Sequence, residues 1–305
     1  MIAEATAATR AGDRKPFAAF LAGAGSGWNL RGHRLWVLAE QAAEEDGWLR
    51  AWQAADPDSP DAALVHATSL IEVAWTVRSG KRAAQVGREQ FEIFHRLLGE
   101  AVDAFARAAE PAPADPTPWA AQLPIALGLG WSHEEFDRVW QEIVARDPYH
   151  YGAHHSALQY WCRKWHGSHE RMTAIAERAA AAAPPQSLLS GLRLDAVHEL
   201  EITEDSYRAW TTPEAQRALD QVLADLRTVE PDDPRVPGLR HLLAYGLTRN
   251  RRRAEAVEQF RLIDRWIDSP PWSYRARPAE LFTEIRARAP TGWDKAGRPP
   301  APTTR

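Results

Sequence analysis

Five of the chain's eleven histidines and its single cysteine fall between His150 and Glu170, which makes that stretch the densest in groups able to do chemistry. His150 and His154 are four residues apart, so on a helix both imidazoles face one side and could share a metal ion, as in two-histidine helical sites. Cys162 lies eight residues beyond His154, about 12 Å along a helix, too far to join that ion. A third ligand would have to come from elsewhere, for example His198 or Glu199. Against this stands packing: Tyr151, His154, Leu158, Trp161 and Trp165 form an apolar stripe at helical spacing, which reads His154 as a core or interface histidine. Cys162 sits in the same aromatic surroundings and reads as a small buried hydrophobe rather than a nucleophile.

Two other clusters carry weaker signals. Gly23-Ala-Gly-Ser-Gly27 imitates a phosphate loop but follows a helical stretch and lacks the Lys-Ser/Thr that would complete one, so it reads as a hinge. Arg249-Asn-Arg-Arg-Arg253 is a basic run at an expected turn and reads as a solvated corner, the alternative being contact with an acidic partner.

The elements that must position these residues are helices. Amphipathic stretches run repeatedly into proline corners: Asp56-Pro57, Asp115-Pro116, Asp147-Pro148, Pro184-Pro185, Pro231 to Pro234 and Ser269-Pro270. Pro116 to Pro148 spans 32 residues and Pro148 to Pro184 spans 36, bracketing the ~34-residue period of tetratricopeptide-type helix pairs. The spacing predicts an all-α, TPR-like superhelix (solenoid) of about six antiparallel helix pairs, with corners near 57, 116, 148, 184 and 232 and a long second pair from about Pro60 to Glu110. One helical-repeat domain over residues 1–290 is expected, with a bend near 110–118 at the proline-rich connector and a disordered Pro-rich tail over 291–305.

Helix faces and starts are legible. Phe91, Phe94, Leu98, Val102 and Phe105 recur at three- and four-residue steps, as do Phe136, Trp140 and Ile143, then Met172, Ala176 and Ala179, then Ala256, Phe260 and Ile263. Ser132 to Glu135 is a capping box, Ser168 precedes Glu170 in a first turn, and Thr212-Pro213 puts proline at the first helical position. The 14 tryptophans read mainly as core filling, with Trp48/Trp52 and Trp161/Trp165 each sharing a face; Trp210, Trp272 and Trp293, beside expected loops, are the ones packing explains least.

Composition narrows the partners. With 37 Lys plus Arg against 41 Asp plus Glu and a net charge of -4, no cationic field is available for nucleic acid. Lysine occurs only at 15, 81, 164 and 295, an arginine and alanine bias of the kind a GC-rich bacterial genome imposes. One cysteine forms no internal disulfide, and no apolar run approaches membrane-spanning length. The short apolar stretch at Phe17 to Ala24 follows Glu4 and Asp13 and reads as the end of a short helix rather than a leader. A cytoplasmic location is expected.

The run Trp161-Cys-Arg-Lys-Trp-His-Gly-Ser-His-Glu170, the Ala-rich segment ending at Pro184, and Ala196-Val-His-Glu199 resemble the core of a bacterial group of tetratricopeptide-like proteins with a Lys-Trp-x-Gly-Ser-x-Glu pattern. Trp28 to Arg34, Trp48 to Trp52 and Asp115 to Trp119 add to the likeness, which covers roughly residues 10 to 265. Val197 is an insertion relative to that group's Ala-His-x-Glu. The resemblance implies the fold and no particular activity. Locally, Lys164 to Glu170 reads as a helix-turn-helix corner in which Gly167 takes a positive φ and Ser168 caps the next helix.

The leading expectation is an interaction scaffold that binds a protein or peptide on a concave face and has no catalytic role or cofactor. Its contact residues are Trp161, Lys164, Trp165, His166 and Glu170, with His198 and Glu199. The alternatives are a metal-dependent enzyme or accessory protein using His150, His154, His166, His169 and His198, and a subunit that self-associates into a homo-oligomer.

Overall fold

A computed structural model of the chain describes residues 15–78, 86–111, 113–263, 267 and 269–289; the expected tail over 291–305 and Trp293 lie outside them. The described residues are helical with no strand, as the dominance of the 3.6-residue period requires. They divide into two compact units, 1–157 and 158–305.

The first unit contains α1 (Lys15–Ala22), α2 (Trp28–Glu44), α3 (Gly47–Ala55), α4 (Pro60–Arg78), α5 (Arg88–Ala109), α6 (Thr117–Ala121), α7 (Leu123–Leu129) and α8 (His133–Arg146), and most of α9 (Tyr151–Tyr160). The long expected pair is α4 with α5, 19 and 22 residues, packed against each other. Phe94, Leu98 and Phe105 form its buried stripe, and Trp48 and Trp52 are buried in the same core. α8 starts with the expected capping box: Glu135 N–H donates to Ser132 Oγ at 3.2 Å and Ser132 N–H donates to Glu135 Oε2 at 2.7 Å.

The second unit contains α10 (His169–Ala182), α11 (Leu192–Glu204), α12 (Pro213–Asp225), α13 (Val236–Arg249), α14 (Arg253–Leu262) and α15 (Pro278–Arg288). α10 packs on α11 and α13 on α14. Thr212 caps α12 through Ala215 N–H, with Pro213 at the first position. Trp210 and Trp272 are fully buried, which corrects the expectation that packing explains them least: a short 3-10 helix (Tyr207–Thr211) carries Trp210 inward and a turn carries Trp272. Trp272 donates its indole N–H to His241 Nδ1 at 2.8 Å and packs edge-on against Phe282. Gly246 makes room for the other ring, since a Cβ there would lie 2.6 Å from Trp210.

The corner at 161–168 differs from its expectation in two respects. α9 ends at Tyr160, so Trp161 and Trp165 do not share a helical face. The chain instead wraps, with His166 N–H donating to Tyr160 O and Gly167 N–H to Cys162 O. Nor is Gly167 in the left-handed region. It is glycine because a Cβ would stand 1.8 Å from Trp161 O. Gly167→Ala must therefore shift backbone rather than a side chain, and a loss of about 2–3 kcal/mol in urea unfolding is the expected outcome, within the range for mutations that force backbone strain.

Candidate functional site

α11 is the most unusual element chemically. Asp195, His198, Glu199 and Glu201 are all buried on it, although acidic side chains are rarely buried without partners. Two sites are built from it.

The first joins the Lys164 corner. Lys164 Nζ donates to Glu199 Oε2 at 2.8 Å and lies 5.6 Å from the centre of the Tyr274 ring. Burial opposes the lysine charge most strongly, but Tyr274, Glu199 and Cys162 together outweigh it and raise the pKa. The Tyr274 ring meets His198 edge-on at 5.5 Å. Burial first, then the Arg275 and Lys164 charges, push the His198 pKa down to about 3, and burial pushes the Cys162 thiol up to about 11. At neutral pH this corner therefore holds a protonated lysine, a neutral histidine and a protonated thiol. The lysine and the thiol are in their non-nucleophilic forms, and the histidine, though neutral, is a very weak base.

The remaining expected contact residues lie around this corner without converging on it. Trp161 stacks with Arg171, His166 with Tyr160, and Glu170 is exposed in the first turn of α10. His169 contacts Glu204 at 3.1 Å.

The His198 shift fixes a pH dependence. Between the ordinary histidine pKa near 6.5 and about 3, the unfolded chain binds a proton that the folded chain refuses, so this group's contribution to stability is complete above 6.5 and is lost as pH falls toward 3. The urea midpoint is expected to drop from pH 7.5 to pH 5, and His198→Gln should make that drop smaller.

The histidine pair in the first unit is hydrogen-bonded to its own backbone. His150 precedes α9 and its Nδ1 accepts the Ala153 N–H at 3.2 Å, so the ring caps the helix and carries its proton on Nε2. His154 Nε2 bonds Pro148 O at 2.9 Å, and the ring stands edge-on to Trp140. His150 commits its Nδ1 lone pair to the helix, while the bond from His154 Nε2 to Pro148 O leaves the His154 Nδ1 lone pair uncommitted. Among the described residues no group of three or more His, Cys, Asp or Glu side chains is placed to hold a metal ion.

The second site is an open cavity of about 430 Å³ in the second unit, within the size range of ligand pockets. The end of α11, the turn at Tyr207, α13, the segment Arg275–Arg277 and α15 line it. Its floor is organised by Glu201, which is 4% exposed. Glu201 Oε1 accepts from the Tyr245 hydroxyl at 2.5 Å and from Arg275 Nη2 at 2.8 Å, and Oε2 accepts from the Trp210 indole at 2.6 Å. Arg249 donates to Tyr245 Oη at 2.6 Å, and its guanidinium lies over the rings of Tyr245 and Tyr207 at 4.7 and 5.2 Å. Burial, reinforced by Glu201 against the pull of Arg249, raises the Tyr245 pKa to about 12, so the phenol keeps its proton and donates it to the carboxylate.

Residue-by-residue reading of the sequence missed this site. Arg249 reads as part of a solvated corner but turns into the cavity wall, while Arg252 in the same run pairs with Glu255 and with Asp220. Glu201 carries no motif, and its partners Tyr245 and Arg275 lie 44 and 74 residues away. No family model, curated protein or solved structure matches the chain.

Proposed function

We propose that this protein is an interaction module, and that its second unit takes a segment of a partner protein into the cavity beside Glu201. The observation that carries the reading is the organised floor: a buried carboxylate fixes a tyrosine hydroxyl and an arginine at the surface of a cavity. Buried ion pairs contribute little net stability compared with apolar packing, and their clearest use is to fix geometry. Aromatic and arginine side chains, the types that dominate binding hot spots, form the walls.

A binding role agrees better with the protonation states than catalysis does. Lys164, Cys162 and Tyr245 are each held in the protonated, non-nucleophilic form at neutral pH, and His198, with its pKa pushed down to about 3, is too weak a base to draw a proton from a substrate. We read the helix pairs α10–α11 and α13–α14 as part of a TPR-like array, in keeping with the resemblance of the Lys164–Glu170 run, and such arrays bind extended peptides. The corner at Trp161, Lys164 and Trp165 then serves to brace α11 through Glu199 rather than to touch the partner. A single cysteine and the absence of any helix among the described residues long and apolar enough to cross a membrane agree with the cytoplasmic placement we adopt.

The test is selection of a random 12-residue peptide display library on the full chain, followed by Ala276→Trp. Ala276 lines the cavity and is exposed, so a large side chain there obstructs the opening at little cost to stability. Selected peptides should lose at least tenfold in affinity with an unchanged melting temperature. Equal binding to both proteins, or no selectable peptide, would refute the reading.

A further inference from the structure

The charge arrangement of the cavity specifies the group it receives, an inference that rests on reading the cavity as the partner site. Its carboxylates are largely committed. Glu280 pairs with Arg277 at 2.7 Å and Glu284 with Arg288 at 2.5 Å. Glu201 accepts three hydrogen bonds and is closed to solvent. A cation entering here would meet compensated acids, with Asp205 alone outside an ion pair.

Arg275 is different. Its side chain gives one hydrogen bond, from Nη2 to Glu201, and is 34% exposed at the cavity wall. A guanidinium carries five N–H donors in one plane, so an edge of Arg275 stays available to a ligand. Arg249 is the second guanidinium in the lining, set against two tyrosine rings. The chain of bonds Arg249 to Tyr245 to Glu201, with Arg275 on the same carboxylate oxygen, ties the two together before any ligand arrives. Donors held in place in advance lose less entropy on binding, and the planar fork matches a carboxylate in two-point contact.

We propose that the cavity binds an oxyanion of the partner segment, a carboxylate from an Asp or Glu side chain or from a chain end, through Arg275 with Arg249 beside it. Glu201 and Tyr245 are positioning residues that aim the arginines. A phosphoryl group offers the same oxyanion chemistry, and the experiment separates the two sources.

The Trp210 indole N–H, bonded to Glu201, reports on the floor. In full-length protein labelled with 15N-tryptophan, its resonance is assigned by its loss in Trp210→Phe. N-acetylglutamate α-amide, N-acetylglutamine α-amide, inorganic phosphate and N-acetyllysine amide are titrated separately. N-acetylglutamate α-amide, whose side chain is its one carboxylate, should shift the resonance saturably and bind at least tenfold more tightly than the glutamine, phosphate or lysine probes. Arg275→Lys, which keeps the charge and its attraction to Glu201 but removes the fork, should weaken that binding at least fivefold while leaving the melting temperature within a few degrees. Equal binding of the glutamine probe, preference for the lysine probe, or phosphate as the tightest ligand would each overturn the carboxylate assignment. A resonance unmoved by all four probes, with display peptides still blocked by Ala276→Trp, would overturn the oxyanion and leave the partner site standing; failure of both would remove the site itself.

Discussion

Glu201→Leu is expected to destabilise the protein by about 3–5 kcal/mol, the range for removing one member of a buried charged pair. Leucine fills much of the volume, so the loss comes from the polar groups left behind. The Trp210 indole and the Tyr245 hydroxyl, both on buried side chains, would lose their acceptor, and Arg275 would lose its counter-charge. Each unsatisfied buried donor costs about 1–3 kcal/mol; Arg275, being 34% exposed, can turn to water and adds least. Glu201→Gln should cost less, because the amide oxygen still accepts one bond. Urea unfolding of the two variants checks the order, and a leucine variant as stable as the parent would mean that the network contributes nothing to the fold.

Arg31→Met should be comparably severe, for the opposite reason. Arg31 is the largely buried cation between two carboxylates, with Nη2 to Asp61 at 2.5 Å and Nε to Asp115 at 2.7 Å. These bonds tie α2 to α4 and to the end of the proline-rich connector. Side-chain exposures of 12%, 21% and 6% for Arg31, Asp61 and Asp115 leave little water to take its place. Methionine keeps the packing and leaves two negative charges facing each other, at a cost of about 3–5 kcal/mol. The defect should shrink on acidification, because acid neutralises the two carboxylates that the substitution leaves facing each other. Adding Asp61→Asn should recover part of the loss, measured as a coupling energy in a double-mutant cycle. An Arg31→Met protein whose deficit is the same at pH 7.5 and pH 5 would contradict this account.

What sequence could show follows from how local each signal is. Caps and corners are local: Ser132 with Glu135, Ser168 before α10 and Thr212 before Pro213 are where the helices begin. The buried stripe of α5 and the Trp48/Trp52 pair are equally legible, because a helical period reports its own buried face. The end of α9 was not legible. Leu158, Trp161 and Trp165 continue at helical spacing although the chain has turned after Tyr160, and the close approach of Gly167 to Trp161 O is invisible in a list of residue types. Lys164 and Glu199, expected in one set of contact residues, form an ion pair, and His198 of the same set lies against Tyr274. The cavity depends on still longer range. A glutamate at 201 reads as solvent-facing until Tyr245, Trp210 and Arg275 are folded around it.

The most direct test of the central claim is amide and tryptophan indole chemical-shift mapping of the full chain with the tightest display-selected peptide. The account predicts the largest perturbations at Tyr207, Tyr245, Arg249, Arg275 and Leu281, with the Trp210 indole among them. Perturbations confined to the Trp161–Glu170 corner, or to the first unit, would contradict it and return the partner site to the surface around Lys164 or to another part of the chain.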